Sequence, residues 1–371
     1  RSKVRRAAEG MNVISRNQRF LAPFLSVGLF ALVCLTAFVV CRQGWPELSF
    51  NTRHYVSFGV VVAGIGLYWI GCSDRAGGGH RKRVLGLGLA AFLWILISGK
   101  MGAGIAVILF FSGSYALGRS LLRFFEKDQV KPVPGLIQAG LGLFLGMGIH
   151  GYALWIAMHF KVNFPLVYSA IFLGETILFN REIVRLLNAV WDLTQKGGWS
   201  TGQVLIFSFG LLYLPYSLVS FYVWDDIGVH LFFPKRVSLY GIGLYDPAHA
   251  FAFDHSIVPR SAYTAVYLLG GEFAVRLLNF ALFPAAFLLL ERWVRLRWGA
   301  RTAGLSLLAA LLTPFLVWQW GAVFIDAFAL LAAVILLILL FRLIEAPHAR
   351  LWFLFGLVGG FAYLCKQMTI F

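Results

Sequence analysis

Ala322-Val-Phe-Ile-Asp-Ala-Phe-Ala-Leu-Leu-Ala-Ala-Val-Ile-Leu-Leu-Ile-Leu-Leu-Phe341 carries a single charge, Asp326. About 20 consecutive apolar residues are what a helix needs to cross the hydrocarbon core of a bilayer. A water-soluble fold can bury one such run but not a series of them. Around this stretch the chain supplies the series. Further apolar segments lie at 20–41, 55–72, 84–98, 102–118, 135–158, 164–180, 203–222, 264–290, 303–320 and 351–368. The expected fold is therefore all-α, a polytopic integral membrane protein of about eleven transmembrane helices. Composition agrees. The chain is 60% hydrophobic and 13% charged, with a mean hydropathy of +0.78. Soluble domains sit near 45–50% and 25%.

The formal charge of +16 does not point to nucleic acid, because the basic residues form no single patch with interleaved aromatics. They sit between the apolar runs. With a cytoplasmic N-terminus and alternating spans, segments 1–19, 73–83, 119–134, 181–202, 291–302 and 342–350 face the cytoplasm. They hold six, four, four, three, four and two of the 32 lysines and arginines. That is the positive-inside pattern. It places loop 223–263 outside, in the periplasm if the protein sits in a bacterial inner membrane. The basic residues 1–19 followed by an apolar run from Phe20 resemble a signal peptide. The run to Cys41 is too long for one and reads as an uncleaved first span. Residues 181–196 have the spacing of an amphipathic helix lying at the interface. The four cysteines, Cys34, Cys41, Cys72 and Cys365, lie in or beside apolar runs and read as packing residues.

Loop 223–263 begins Trp224-Asp225-Asp226-Ile-Gly-Val-His230-Leu-Phe-Phe-Pro-Lys235-Arg236. Carboxylates at a membrane surface are costly and usually have a task. The piece 230–240 suits a short surface helix, ended by Gly241. Three more sites belong to the same membrane level: Asp326 at the outer start of its span, Lys366 at the outer end of 351–368, and Glu272 with Arg276 one helical turn apart. Charges gathered at one depth predict a shared polar cavity. A carboxylate there can act as general base toward a hydroxyl. Lysine and arginine can hold a phosphate and stabilise it as a leaving group. His249 and His255 with Asp254 could ligate a metal, but no tight spacing enforces it. No cofactor is expected, although the acidic loop leaves room for a divalent ion. His150, in mid-span, reads as a packed, hydrogen-bonded residue. Gly142-Leu-Phe-Leu-Gly146 reads as a close-packing stripe.

The segment Trp224-Asp-Asp-Ile-Gly-Val-His-Leu-Phe-Phe-Pro-Lys235 resembles a motif of bacterial GT-C membrane glycosyltransferases related to the family 39 protein mannosyltransferases. Gly270-Gly-Glu-Phe-Ala-Val-Arg-Leu-Leu-Asn279, Phe324-Ile-Asp-Ala-Phe328 and Gly359-Gly-Phe-Ala-Tyr-Leu-Cys-Lys366 resemble later pieces of the same pattern, in the same order. The resemblance spans about 200–371. It implies a GT-C-like core at 203–371 behind an N-terminal membrane region at 1–202. It also implies a polyprenyl-phosphate-linked sugar as donor. Asp225 then takes the place of the family's essential outer-loop aspartate, with Asp226 beside it. Catalysis is expected at Asp225, Asp226 and Asp326. Substrate contacts are expected at His230, Lys235, Arg236, Glu272, Arg276 and Lys366. Membrane lipid is the surrounding partner. Two readings compete with the enzyme: a non-catalytic subunit or scaffold of a larger membrane complex, and a lipid or solute carrier.

Overall fold

The computed structural model describes residues 98–126, 135–195, 199–217, 230–243, 256–313 and 319–366, without Gly321, together with parts of 84–96. Two compact units divide the chain. One combines 72–310 with 319–371, the other 1–71 with 311–318. Nearly all described residues belong to the first. Every regular element among them is helical: α1 Met101–Glu126, α2 Gly135–Ala157, α3 Pro165–Leu178, α4 Asn180–Gln195, α5 Thr201–Ser217, α6 Phe232–Tyr240, α7 Ile257–Leu311, α8 Asp326–Glu345 and α9 Ala349–Cys365. Four stretches are long and apolar enough to cross a membrane: Met101–Phe125, Gly135–Ala157, Ile257–Leu311 and Asp326–Glu345. Shorter apolar helices occupy Pro165–Leu178, Thr201–Leu211 and Ala349–Cys365. The protein is thus an all-helical membrane protein. The expected spans at 20–41 and 55–72 lie outside the described residues.

Several boundaries differ from the sequence reading. Residues 291–298, expected as a loop, continue the helical arm that follows Gly271; the break falls at Gly299, at φ +88°, ψ 173°, inside the expected loop. Trp293 and Val294 are buried on that continuation. In the span expected at 303–320 the helix that includes residue 303 runs to Leu311; 314–318 lie outside the described residues, and Gln319 and Trp320 are again helical. Thr313 precedes Pro314, and a proline pushes the residue before it out of the α region. Helix α7 begins at Ile257, seven residues before the expected span. Helix α4 bears out the amphipathic reading: Val184, Leu187 and Trp191 are exposed, while Glu182 turns inward to ion pairs with Arg123 and Arg185.

Small residues set the central packing. Ser114 and Gly118 on α1 face Gly142 and Gly146 on α2, two pairs each four apart and so on one helix face. A Cβ at Gly118 would strike the Gly142 carbonyl, and one at Gly146 the Ser114 carbonyl. The backbones approach this closely because no side chain stands between them, the usual device where water supplies no driving force. Against that seam sits a polar chain drawn from three helices. Ser114 Oγ lies 2.9 Å from His150 Nδ1, and Glu175 Oε1 and Oε2 each lie 2.8 Å from His150 Nε2. The rings of Phe172 and Phe110 flank the imidazole at 5.0 and 6.3 Å. The hydrogen-bonded reading of His150 holds. An unpaired ionised group in a span costs roughly 2.5–3.5 kcal/mol. His150→Leu strands Glu175 and is expected to lower unfolding free energy by about 2–3 kcal/mol. The double change His150→Leu/Glu175→Leu should recover most of that. Reversible unfolding in mixed micelles compares the two; a double variant no more stable than the single would contradict the pairing.

Distant segments meet through polar and ring contacts: Ser200 with Glu291, Arg123 with Glu182, and Arg297 with Glu345. Asn163 binds the Gly241 carbonyl, the His230 ring packs on Phe324, and Asp326 meets Lys366.

Candidate functional site

Helix α7 reverses on itself, and that reversal builds the site. Gly271 sits at φ +72°, ψ −165°, a conformation that residues with a Cβ rarely adopt. Tyr263 and Asn279 lie on either side of it. In a straight helix they would be about 24 Å apart, at 1.5 Å per residue. Instead the Tyr263 hydroxyl donates to Asn279 Oδ1 at 3.0 Å and to the Phe324 carbonyl at 2.9 Å. Asn279 Nδ2 in turn donates to the carbonyls of Ala322 at 2.5 Å and Gln319 at 3.3 Å. The segment ahead of α8 is thereby tied to both arms of α7. Trp320 anchors it from below. Its Nε1 donates to the Phe280 carbonyl at 3.0 Å, and its ring stacks on Tyr213 and Phe283.

The network ends on Asp326. One oxygen, Oδ2, accepts from Gln319 Nε2 at 3.0 Å; the other, Oδ1, meets Lys366 Nζ at 2.5 Å. Forty residues separate the two charges. Asp326 opens α8, and Lys366 caps the end of α9 in extended backbone. Antiparallel neighbours joined by the short 346–348 turn place those two termini side by side. Both charges were expected at one level, and the structure brings them into contact.

His230 stands immediately before α6. Its ring packs edge-on against Phe324 at 5.9 Å and Tyr263 at 6.5 Å. Burial, then the charge of Arg260, then that of Lys366, push its pKa down to about 3. At neutral pH it is an uncharged imidazole with one N–H donor and one acceptor. Helix α6 is held in place by Phe233, Pro234 and Val237, which are buried, and by Gly241 in left-handed conformation at its end. Asn163 secures that end with a 2.8 Å bond to the Gly241 carbonyl. The short helix expected at 230–240 is present, but packed into the protein rather than merely resting on the membrane. It carries Lys235 half-buried and Arg236 5.9 Å over the Phe232 ring.

Glu272 and Arg276 form a pair of their own on α7, Nε to Oε1 at 3.1 Å, with the arginine fully enclosed. Asn279, one turn further on, joins this stretch to the Asp326 network. Asp225 and Asp226 lie outside the described residues, as do His249, Asp254 and His255. Among the described residues no cluster of three or more histidine, cysteine or acidic side chains could hold a metal.

Sequence reasoning overlooked Arg260, Tyr263 and Gln319. Arg260 is buried close enough to His230 to shift it. Gln319 had a visible signal, an amide inside the apolar run Phe315-Leu-Val-Trp-Gln319-Trp320. Tyr263 had none, since its partner Asn279 is met only through the Gly271 reversal.

Residues 254–371 match the family model described as dolichyl-phosphate-mannose-protein mannosyltransferase. That stretch, which contains α7, α8, α9 and the Asp326–Lys366 pair, is similar to that family, in line with the resemblance read from the sequence over about 200–371. No curated protein and no solved structure matches the chain.

Proposed function

We propose that the protein transfers one sugar from a polyprenyl-phosphate carrier to a hydroxyl acceptor on the outer face of the membrane, in a bacterium the periplasmic face. The observation that carries the reading is the Asp326–Lys366 contact inside the matched stretch, set on a network that includes both arms of α7. In a single inverting displacement the acceptor oxygen attacks the anomeric carbon as the bond to the phosphate oxygen breaks. The phosphate leaves with the electron pair, and the acceptor proton passes to a carboxylate. Asp225, with Asp226 beside it, supplies that carboxylate. Lys366 meets the developing phosphate charge, and Asp326 keeps the ammonium aimed at it. Arg276, Arg236 and Lys235 add positive potential, and Glu272 orients Arg276. The chain organises as an N-terminal membrane region at 1–202 and a catalytic core at 203–371.

The test is direct. The purified full chain in lipid nanodiscs is supplied with radiolabelled dolichyl-phosphate mannose and a periplasmic or microsomal protein extract. Transfer of label to acceptor, or binding of the donor with release of free polyprenyl phosphate, is the expected result. A chain that neither binds nor turns over any polyprenyl-phosphate sugar would leave the scaffold reading in its place.

A further inference from the structure

The two charges of the site are satisfied, but two neutral groups beside them are not. Gln319 is 1% exposed and His230 7%. Gln319 Oε1 and His230 Nδ1 are buried and make no hydrogen bond among the described residues. Such atoms are uncommon in folded proteins, and each one calls for an explanation. The amide cannot simply be turned over to remedy this. Its Nε2 donates to Asp326 Oδ2 at 3.0 Å, and a reversed amide would set oxygen against carboxylate. Gln319 Oε1 is therefore held as an acceptor. It cannot complete itself on a phosphate, which offers only oxygens at neutral pH. It needs a donor, and a sugar hydroxyl is one. His230 is uncharged and can donate or accept at Nδ1 according to its tautomer. Both residues are fixed relative to the ion pair: Gln319 by its bond to Asp326, His230 by its packing on Phe324, two residues before Asp326. Ser261, on the first turns of α7, adds a buried hydroxyl without a hydrogen-bond partner among the described residues.

We infer that Gln319 and His230 form the hydroxyl-reading subsite for the transferred sugar, completing their open hydrogen bonds on two of its hydroxyl groups. The inference rests on the sugar-transfer reading above. A site that has desolvated its polar atoms in advance discriminates strongly against a ligand lacking the matching group, because the atoms then stay unpaired. The expected loss for one missing hydroxyl is about 10- to 100-fold in affinity.

The experiment measures binding of dolichyl-phosphate mannose and its 2-, 3-, 4- and 6-deoxy analogues to the full chain in nanodiscs. At least one deoxy donor should bind roughly 10- to 100-fold more weakly than the parent. Gln319→Met, close in shape, should weaken the parent and erase the difference for one deoxy position; His230→Phe should do so for another. Four deoxy donors within twofold of the parent would overturn the inference and leave the transferase reading intact, with no variant required. Discrimination that survives both substitutions would overturn it too. Failure of every donor, the parent included, to bind would remove the sugar-transfer reading and this inference with it.

Discussion

Lys366→Met is expected to lower kcat/KM for sugar transfer about 100- to 1,000-fold, the range seen when a preorganised donor is removed from a developing oxyanion. The Lys366 side chain is 37% exposed and that of Asp326 19%. A pair that open to solvent contributes roughly 0–1 kcal/mol to stability. The variant should therefore melt within a few degrees of the wild type, and the lost activity reports on chemistry. Asp326→Asn removes the group that aims the ammonium but keeps the ammonium, so its loss should be smaller. The double variant should fall little below Lys366→Met alone, since residues acting as a unit are not additive. Lys366→Arg keeps the charge and should recover part of the rate. Transfer assays on the four proteins, paired with thermal melting, decide the matter. A loss under tenfold for Lys366→Met in a folded protein would take Lys366 out of the reaction.

Asp225→Asn is expected to cost about 100- to 10,000-fold in turnover, the span for removing a general base. Asp225 is five residues before His230 along the chain. Asn is isosteric and keeps the hydrogen-bonding shape while giving up the proton acceptor. Donor affinity should consequently change little while kcat collapses. Asp226→Asn, on the neighbouring carboxylate, should cost less. If Asp225→Asn turns over like wild type and Asp226→Asn does not, the roles exchange. If both retain full rate, the acidic loop is not the base.

The elements and the site were unequally legible. Apolar length was enough to locate α2, α3, α8 and α9 to within a few residues, and the start of α1, whose helix runs eight residues past the expected 102–118 to Glu126, because burial in lipid leaves the backbone no option but to bond within its own helix. The contact between Asp326 and Lys366 was foreshadowed by span alternation alone, which sets both at one depth. Helical continuation through Arg292, Arg295 and Arg297 was missed: charge there reads as loop, yet Arg295 pairs along the helix with Glu291 at 2.5 Å and Arg297 reaches Glu345. The reversal at Gly271 was hidden as well. A Gly-Gly pair inside an apolar run is equally compatible with close packing, and nothing local tells the two apart.

Hydropathy, a property of the bare chain, dictates that this protein belongs in a membrane and which segments are long and apolar enough to cross it. It does so because transfer of each segment from water to lipid is a local and nearly additive free energy. The partners of its polar side chains are another matter. Ser114, His150 and Glu175 are separated by 36 and 25 residues, and Tyr263 reaches Phe324 across 61. Hydrogen bonds need about 3 Å and a direction, and no spacing rule reaches across different helices. Those pairings came into being when glycines let α1 and α2 touch, Gly271 turned α7 back, and packing brought each donor to its acceptor.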